Sequence, residues 1–286
     1  MSKFFCDSNC ELDYRVVDEL GIELIKMPYT LNGEEAKYDL GREINGRDFF
    51  AKMRGGADAK TQALNVYDYI EYFEPVFAAG EDIIYVSFSH AMSGTFNYLK
   101  TAVDSLKEKY PERKFTLCNT YGISMGCGIV VYYAAKQHNE GKSDEEVAAF
   151  VESFVKRVKC FFTVKDLVYL KRGGRLSAFK AMMGKLLDLK PIIAANEEGK
   201  LVNIVNVKGR KKSLHAIVDY ADKYPIDENY FCCVMNGDCD EDTKYTVELI
   251  REKYPSVEIR EQLVGPVIGS HCGPDTVGFI FIAKEQ

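Results

Sequence analysis

The sequence predicts a two-part α/β protein: a layered α/β domain with a parallel sheet over residues 1–157, then an α+β domain over 158–286. Three observations carry this. Strand-like and helix-like segments alternate through the first half, which implies parallel pairing through right-handed crossovers. The second half holds two strand-like runs joined by a short turn, the mark of a hairpin. Between the halves the charged stretch Glu140-Gly-Lys-Ser-Asp-Glu-Glu146 interrupts the apolar periodicity.

Taken in order, Lys3 to Cys6 reads as a strand, Leu12 to Leu20 as a helix and Glu23 to Pro28 as a strand. A helix is expected from Asn65 to Ala79, the apolar strand Asp82 to Ser87 follows, and Gly94 to Tyr110 is again helical. Lys114 to Asn119 is a strand, and the Tyr and Val content of the helix Gly122 to His138 implies burial. Ser143 is placed to cap a helix running to Val158. Beyond it come the strand Lys159 to Val164, a basic segment to Leu187, and the hairpin of Lys190 to Ala195 and Leu201 to Val207 around Asn196-Glu-Glu-Gly199. Helices Lys211 to Tyr224 and Asp240 to Tyr254 separate strands Tyr230 to Met235 and Val257 to Gln262, and Val277 to Ala283 is the last strand.

With 286 residues, 47% of them apolar and 28% charged, the chain has ordinary globular composition and can bury a substantial core. Its formal charge of −6, from 37 basic and 43 acidic side chains, argues against a nucleic-acid binder. Asp7 ends the first apolar run too early for a secretory signal, so a cytoplasmic location is expected. Residues 115–135 carry no charge and are long enough to span a bilayer, but the polar and glycine residues in their first half point to strand, turn and helix. No integral membrane segment is therefore expected, and any membrane contact is transient. The nine cysteines, an odd number mostly within apolar stretches, read as reduced core residues. Cys6 with Cys10, and Cys272, lack the paired spacing of a zinc site, so neither metal nor cofactor is expected.

Four segments carry candidate chemistry. Val86-Ser-Phe-Ser-His-Ala-Met-Ser-Gly-Thr95 leaves a buried strand and opens a helix, which sets Ser93, Gly94 and Thr95 at a positive helix terminus; Ser93 serves there as anion ligand or as plain N-cap. Gly122-Ile-Ser-Met-Gly126 matches the nucleophile elbow G-x-S-x-G, with Asp238, Asp240, Asp242 and His271 downstream in the chain order of an α/β-hydrolase. A serine hydrolase using Ser124 and His271 is the alternative reading, although no HGGG-type oxyanion segment precedes it. A basic face around Arg172, Arg175 and Arg210 suits phosphate or an acidic partner, and no G-x-x-x-x-G-K-[ST] occurs, so a phosphate donor would be bound elsewhere. Finally, Gly265-Pro-Val-Ile-Gly-Ser-His-Cys-Gly-Pro274 reads as a turn-rich loop holding His271 among small residues.

Taken as a set, these segments resemble the DegV family along nearly the whole chain. The resemblance rests on Asp7-Ser8, Ser93-Gly-Thr95, Ser124-Met-Gly-x-Gly128, Tyr169-Leu-Lys-Arg-Gly-Gly-Arg-Leu-Ser177, Lys190-Pro191-Ile and the glycine-rich segment 265–274. It implies a fatty acid buried between two domains and presented to the catalytic subunit of a separate ATP-dependent fatty acid kinase, this chain binding rather than catalysing. By the same resemblance Ser93, Thr61 and His271 hold the carboxylate, with Gly94, Thr95 and Ser124 around the ligand, and Arg172, Arg175 and Arg210 face the partner or the acyl phosphate. Two positions depart from the family's pattern. Thr61 opens Thr61-Gln-Ala-Leu-Asn instead of a T-S-x-P-like stretch, and Asp275 stands where Gly is common. The physics agrees: at about 0.8 kcal/mol per buried CH₂, a sixteen-carbon tail gains roughly 10 kcal/mol gross, while the head group needs several donors to leave water.

Overall fold

The computed structural model describes residues 2–174 and 189–285. β1 (Lys3–Asp7) runs through a 3₁₀ turn, Ser8–Cys10, to α1 (Tyr14–Glu19) and β2 (Glu23–Ile25). β3 (Pro28–Leu31) and β4 (Glu34–Lys37) then form a hairpin about Asn32-Gly33, whose φ angles of 54° and 87° are those a two-residue type I′ turn requires. After α2 (Gly46–Arg54), β5 (Ala59–Thr61) pairs with the free side of β3. This three-stranded antiparallel sheet and α2 lie between Pro28 and Asn65, a stretch for which the sequence reading predicts no element.

The alternation resumes with α3 (Val66–Ala78), opened by a capping box between Asn65 and Asp68, then β6 (Ile83–Ser87) and α4 (Thr95–Lys109). β7 (Phe115–Asn119) and α5 (Met125–Asn139) divide the uncharged stretch between strand and helix, and no helix among the described residues is long and apolar enough to cross a membrane. α6 (Asp144–Phe154) starts at the predicted cap, Ser143, which shares a capping box with Glu146. The strands β2-β1-β6-β7 form one sheet, parallel throughout, as the alternation requires.

The second half opens with β8 (Val158–Thr163) and α7 (Val168–Arg172), then the hairpin of β9 (Leu189–Ala195) and β10 (Leu201–Lys208). α8 (Arg210–Asp219), β11 (Cys232–Asn236), α9 (Asp240–Lys253), β12 (Ile259–Leu263), α10 (Pro266–Cys272) and β13 (Val277–Ile282) complete it. These strands make a six-stranded mixed sheet, β10-β9-β8-β13-β11-β12, in which only β11 and β12 run parallel. The segment read as a loop around His271 is instead α10. Pro266 supplies a preset φ in its first turn, and Gly273, at φ 77°, ends it.

Alternation along the inner strands assigns their two faces. Cys233, Met235, Ile280 and Ile282 join the large core shared with the first sheet, whereas Cys232, Val234, Phe279 and Phe281 join a second core with Ile217 of α8 and Ile250 of α9. The six-stranded sheet thus has one face toward the first sheet and the other under its own helices. α5 presses onto the 3₁₀ turn after β1, and a Cβ on Gly128 would lie 2.3 Å from the Cys10 carbonyl oxygen, so only glycine allows that approach.

Asp7 closes the first sheet at its C-terminal edge. Its buried carboxylate accepts from Tyr85 Oη (2.9 Å), the Phe88 N–H (3.2 Å), the Asn9 N–H (3.0 Å) and Asn9 Nδ2 (2.8 Å). Burial raises this carboxyl above its ordinary range, and the four donors pull the other way. Asp7→Ala leaves those buried donors without their acceptor, and urea unfolding is expected to show a loss of about 3 kcal/mol; a loss under ~1 kcal/mol would exclude this role.

Candidate functional site

The loops that follow parallel strands at their carboxyl ends are the usual binding edge of an α/β sheet. Here the turns after β1, β6 and β7 bring Asn9, Phe88, Met92, Ser93, Ile123 and Ser124 to one wall of a cavity. The opposite wall is the inner face of the six-stranded sheet, with Cys160, Phe162, Met235, Gly278 and Ile280. Met27, Thr61 and Gln62 from beside the small sheet, and Val267, Ile268, His271 and Cys272 from α10, complete the lining. Measured as room for the centre of a water-sized sphere, the cavity holds about 100 Å³, several times the ~10–15 Å³ one water needs. Its walls are mostly carbon, which suits a narrow apolar ligand better than a polar one.

Four of the candidate residues, Thr61, Ser93, Ser124 and His271, line this one cavity. Thr61 Oγ1 and His271 Nε2 share a 2.8 Å hydrogen bond across 210 positions of sequence. The imidazole lies so close to the chain after α7 that a Cβ on Gly173 would stand 2.1 Å from Nδ1, which explains one glycine of the Arg172-Gly-Gly run. Ser93 Oγ accepts the Thr95 N–H at 3.2 Å from one position ahead of the Gly94 N-cap, and among the described residues its own O–H is left to donate. Met92, Ser93 and Leu201 also border an open groove shared with His90, Gly94, Asn97, Gly174, Asn196 and Lys200, so Ser93 lies between the cavity and that groove.

The other candidates sit elsewhere. Gly94 borders the open groove, and Thr95 is buried with its hydroxyl bonded to Tyr69 Oη (2.9 Å) and the Leu64 carbonyl (3.3 Å), so that hydroxyl acts in the fold. Arg172 is exposed at the end of α7, and Arg175 lies outside the described residues. Arg210 turns inward: its Nε donates to Asp242 at 2.8 Å and its Nη2 to the Asp275 carbonyl at 2.5 Å. Asp275 keeps a left-handed φ of 64°, and its carboxylate pairs with Arg54 (3.1 Å) and Lys165 (3.2 Å).

Among the described residues the arrangement a hydrolase needs is not assembled. Ser124 donates to Glu11 rather than to a histidine, His271 bonds Thr61, and the three downstream aspartates pair with Arg47, Arg54 and Arg210. Ser124 does keep an elbow-like backbone, φ 54° and ψ −143°, so the motif reports geometry without the catalytic partners. Glu11, its buried acceptor, carries no motif, and the sequence reading passes over it. The nine cysteines are all free, and seven are buried.

At the groove, His90 Nε2 shares a 2.8 Å hydrogen bond with Ser87 Oγ, and its ring packs on Phe96 with centroids 3.9 Å apart. Burial lowers its pKa to about 4. The folded state thus binds fewer protons at His90 than the unfolded chain between that value and the ordinary ~6.5, so its contribution to stability is present above ~6.5 and falls away on acidification toward 4. His90→Gln is expected to flatten part of the loss of unfolding free energy between pH 6.5 and 4; parallel wild-type and variant curves would refute this.

Comparison with known proteins agrees in kind. Residues 2–284 match the family described as "Uncharacterised protein, DegV family". A DegV domain-containing protein of Clostridium perfringens is 36% identical over 289 residues, covering 100% of this chain and 99% of that protein. Among solved structures, a DegV family protein from Thermus thermophilus, described for its fatty acid binding, is 25% identical with a TM-score of 0.84, covering 99% of each chain. A stearic acid-binding protein from Eubacterium ventriosum, 21% identical with a TM-score of 0.85 over 99% of each chain, shares the fold. Matched along almost its whole length, the chain belongs to the DegV family.

Proposed function

We propose that this protein binds a long-chain fatty acid, burying the hydrocarbon in the cavity, and presents the carboxylate to the catalytic subunit of a separate ATP-dependent kinase that forms the acyl phosphate. The observation that carries the reading is a carbon-walled cavity whose hydroxyl and imidazole groups, Ser93 and the Thr61–His271 pair, stand on its wall, with Ser93 also bordering the open groove. The fatty acids bound by the T. thermophilus and E. ventriosum relatives support the ligand class.

The tail supplies affinity through burial, at about 0.8 kcal/mol per CH₂. The head group cannot enter an apolar site uncompensated, and short charge-assisted hydrogen bonds from two hydroxyls and an imidazole meet that need. Thr61 already bonds His271, so a carboxylate there would meet two groups that hold each other in place. Chain segments 1–157 and 158–286 act in this reading as two units enclosing the ligand, in the cytoplasm. Exposed Arg172, next to the glycine against His271, would face the kinase or the acyl phosphate, Arg175 standing three residues on; Arg210, engaged with Asp242, drops out of that role.

Protein purified from its host and denatured should release about one long-chain fatty acid per chain by mass spectrometry. Protein that is empty and also ignores added oleate and palmitate would overturn the proposal. Ser93→Ala and His271→Ala should each weaken oleate affinity by about 10- to 100-fold, the worth of one hydrogen bond to a charged group, measured by titration calorimetry. For the presenting role, oleate-loaded protein with ATP and the kinase subunit should yield hydroxamate-trappable acyl phosphate, while formation by this chain and ATP alone would refute it.

A further inference from the structure

We propose that Glu11 is a positioning residue of the acid-binding site: its carboxyl group holds the backbone N–H of Gly265, the N-cap of α10, and the hydroxyl of Ser124, the N-cap of α5, and so fixes where His271 stands. The inference rests on the fatty-acid reading above and deepens it. Glu11 is fully buried. One oxygen accepts the Gly265 N–H at 2.6 Å and the other accepts from Ser124 Oγ, so a single side chain ties the turn after β1 to the starts of two helices.

From Gly265 the restraint runs along the backbone of α10 to His271. The Gly265 carbonyl accepts the Gly269 N–H at 2.7 Å, and the Gly269 carbonyl accepts the Gly273 N–H at 2.8 Å, one hydrogen-bonded column with His271 in its last turn. Six residues of helix span about 9 Å, too short to bend between its ends. Both partners also hold backbone conformations that side chains disfavour: Glu11 is left-handed at φ 56°, and Ser124, at φ 54° and ψ −143°, lies near a region otherwise reserved for glycine. Such strain persists only where surrounding contacts enforce it, and it gathers at functional sites. Here the two strained residues are bonded to each other, and Ser124 lines the cavity.

The group also titrates in an informative range. Burial raises Glu11 to about 8, opposed by its two hydrogen bonds, and no cation acts on it among the described residues. The titratable groups around it are the phenol of Tyr38 and the thiols of Cys233 and Cys272, all raised by burial and neutral, with Cys10 adjacent in the chain; Asp13 and Asp39 also act on Tyr38. While Glu11 is protonated, its own O–H can donate to Ser124, and the cavity wall is neutral. Once ionised, it only accepts, from the Ser124 hydroxyl and the Gly265 N–H, and it sets a negative charge behind the Ser124 part of the cavity wall. Affinity for a fatty acid should therefore fall as pH rises through about 8.

The test is oleate affinity of the wild type, Glu11→Gln and Glu11→Ala from pH 6 to 9.5, with circular dichroism confirming the fold at each point. Wild type should weaken about three- to tenfold between pH 7 and 9. Gln, which can accept from Gly265 and donate to Ser124, should give a flat profile within threefold of wild type at pH 7; Ala should bind at least tenfold more weakly throughout. Identical pH profiles for wild type and Gln overturn the inference, as does an Ala variant that binds like wild type. If Ala fails to fold, the comparison of wild type with Gln decides alone. A wild type that binds no oleate at any pH sinks the fatty-acid reading and this inference with it, whereas binding indifferent to Glu11 sinks only the latter.

Discussion

Polar side chains on a carbon-lined wall must be held by one another, because a group left unpaired there costs free energy comparable to a whole hydrogen bond. That constraint organises this molecule. Thr61 is held by His271, Ser124 by Glu11, and Ser93 by the N–H of Thr95, and each pairing fixes a side chain that the apolar surroundings alone would leave free to turn. The first two pairings also cross between secondary-structure layers: the small sheet to α10, and the turn after β1 to the start of α5. The cavity is kept in shape by the same bonds that give it a polar end.

The architecture around it follows from strand polarity. In a sheet parallel throughout, every loop after a strand emerges at one edge, so residues from three separate turns reach the same wall without a dedicated scaffold. The mixed sheet supplies the facing wall because alternation leaves one of its faces apolar toward the first sheet and the other toward α8 and α9. The Arg47 and Arg54 pairs with Asp238, Asp240 and Asp275 add a polar seam between α2 and the second half of the chain. Exposed as they are, these pairs are better suited to fixing register than to adding stability.

Much of this was legible in the sequence, for physical reasons that also explain the gaps. Long apolar runs bounded by caps, such as β6 and α3 with its Asn65 cap, announce themselves because period and punctuation agree. The β3–β4 hairpin was announced only by Asn32-Gly33, since its flanking strands are four residues long and half exposed. α10 was hidden because three of its neighbouring or internal residues are glycine, and its helicity depends on Pro266 and on packing against the rings of Phe49 and Phe50. At the site, Ser93 and His271 stood out in their segments and Thr61 was reached only through resemblance to a family, while their convergence on one cavity could not be read from spacing. Arg210 looked free because a charge run does not reveal which acid it will meet. Glu11 had no local signal at all: what marks it is two partners 113 and 254 positions away.

The long span between residues 61 and 271 bears on how the protein is made. At translation speeds of roughly 5–20 residues per second, the 210 positions that separate them take about 10–40 s to emerge from a ribosome. Within that interval the carbon-lined turns of the first sheet emerge before Met235, Gly278 and Ile280 of the facing wall. Chaperone contact with the growing chain should therefore persist until α10 and β13 are free to close the facing wall.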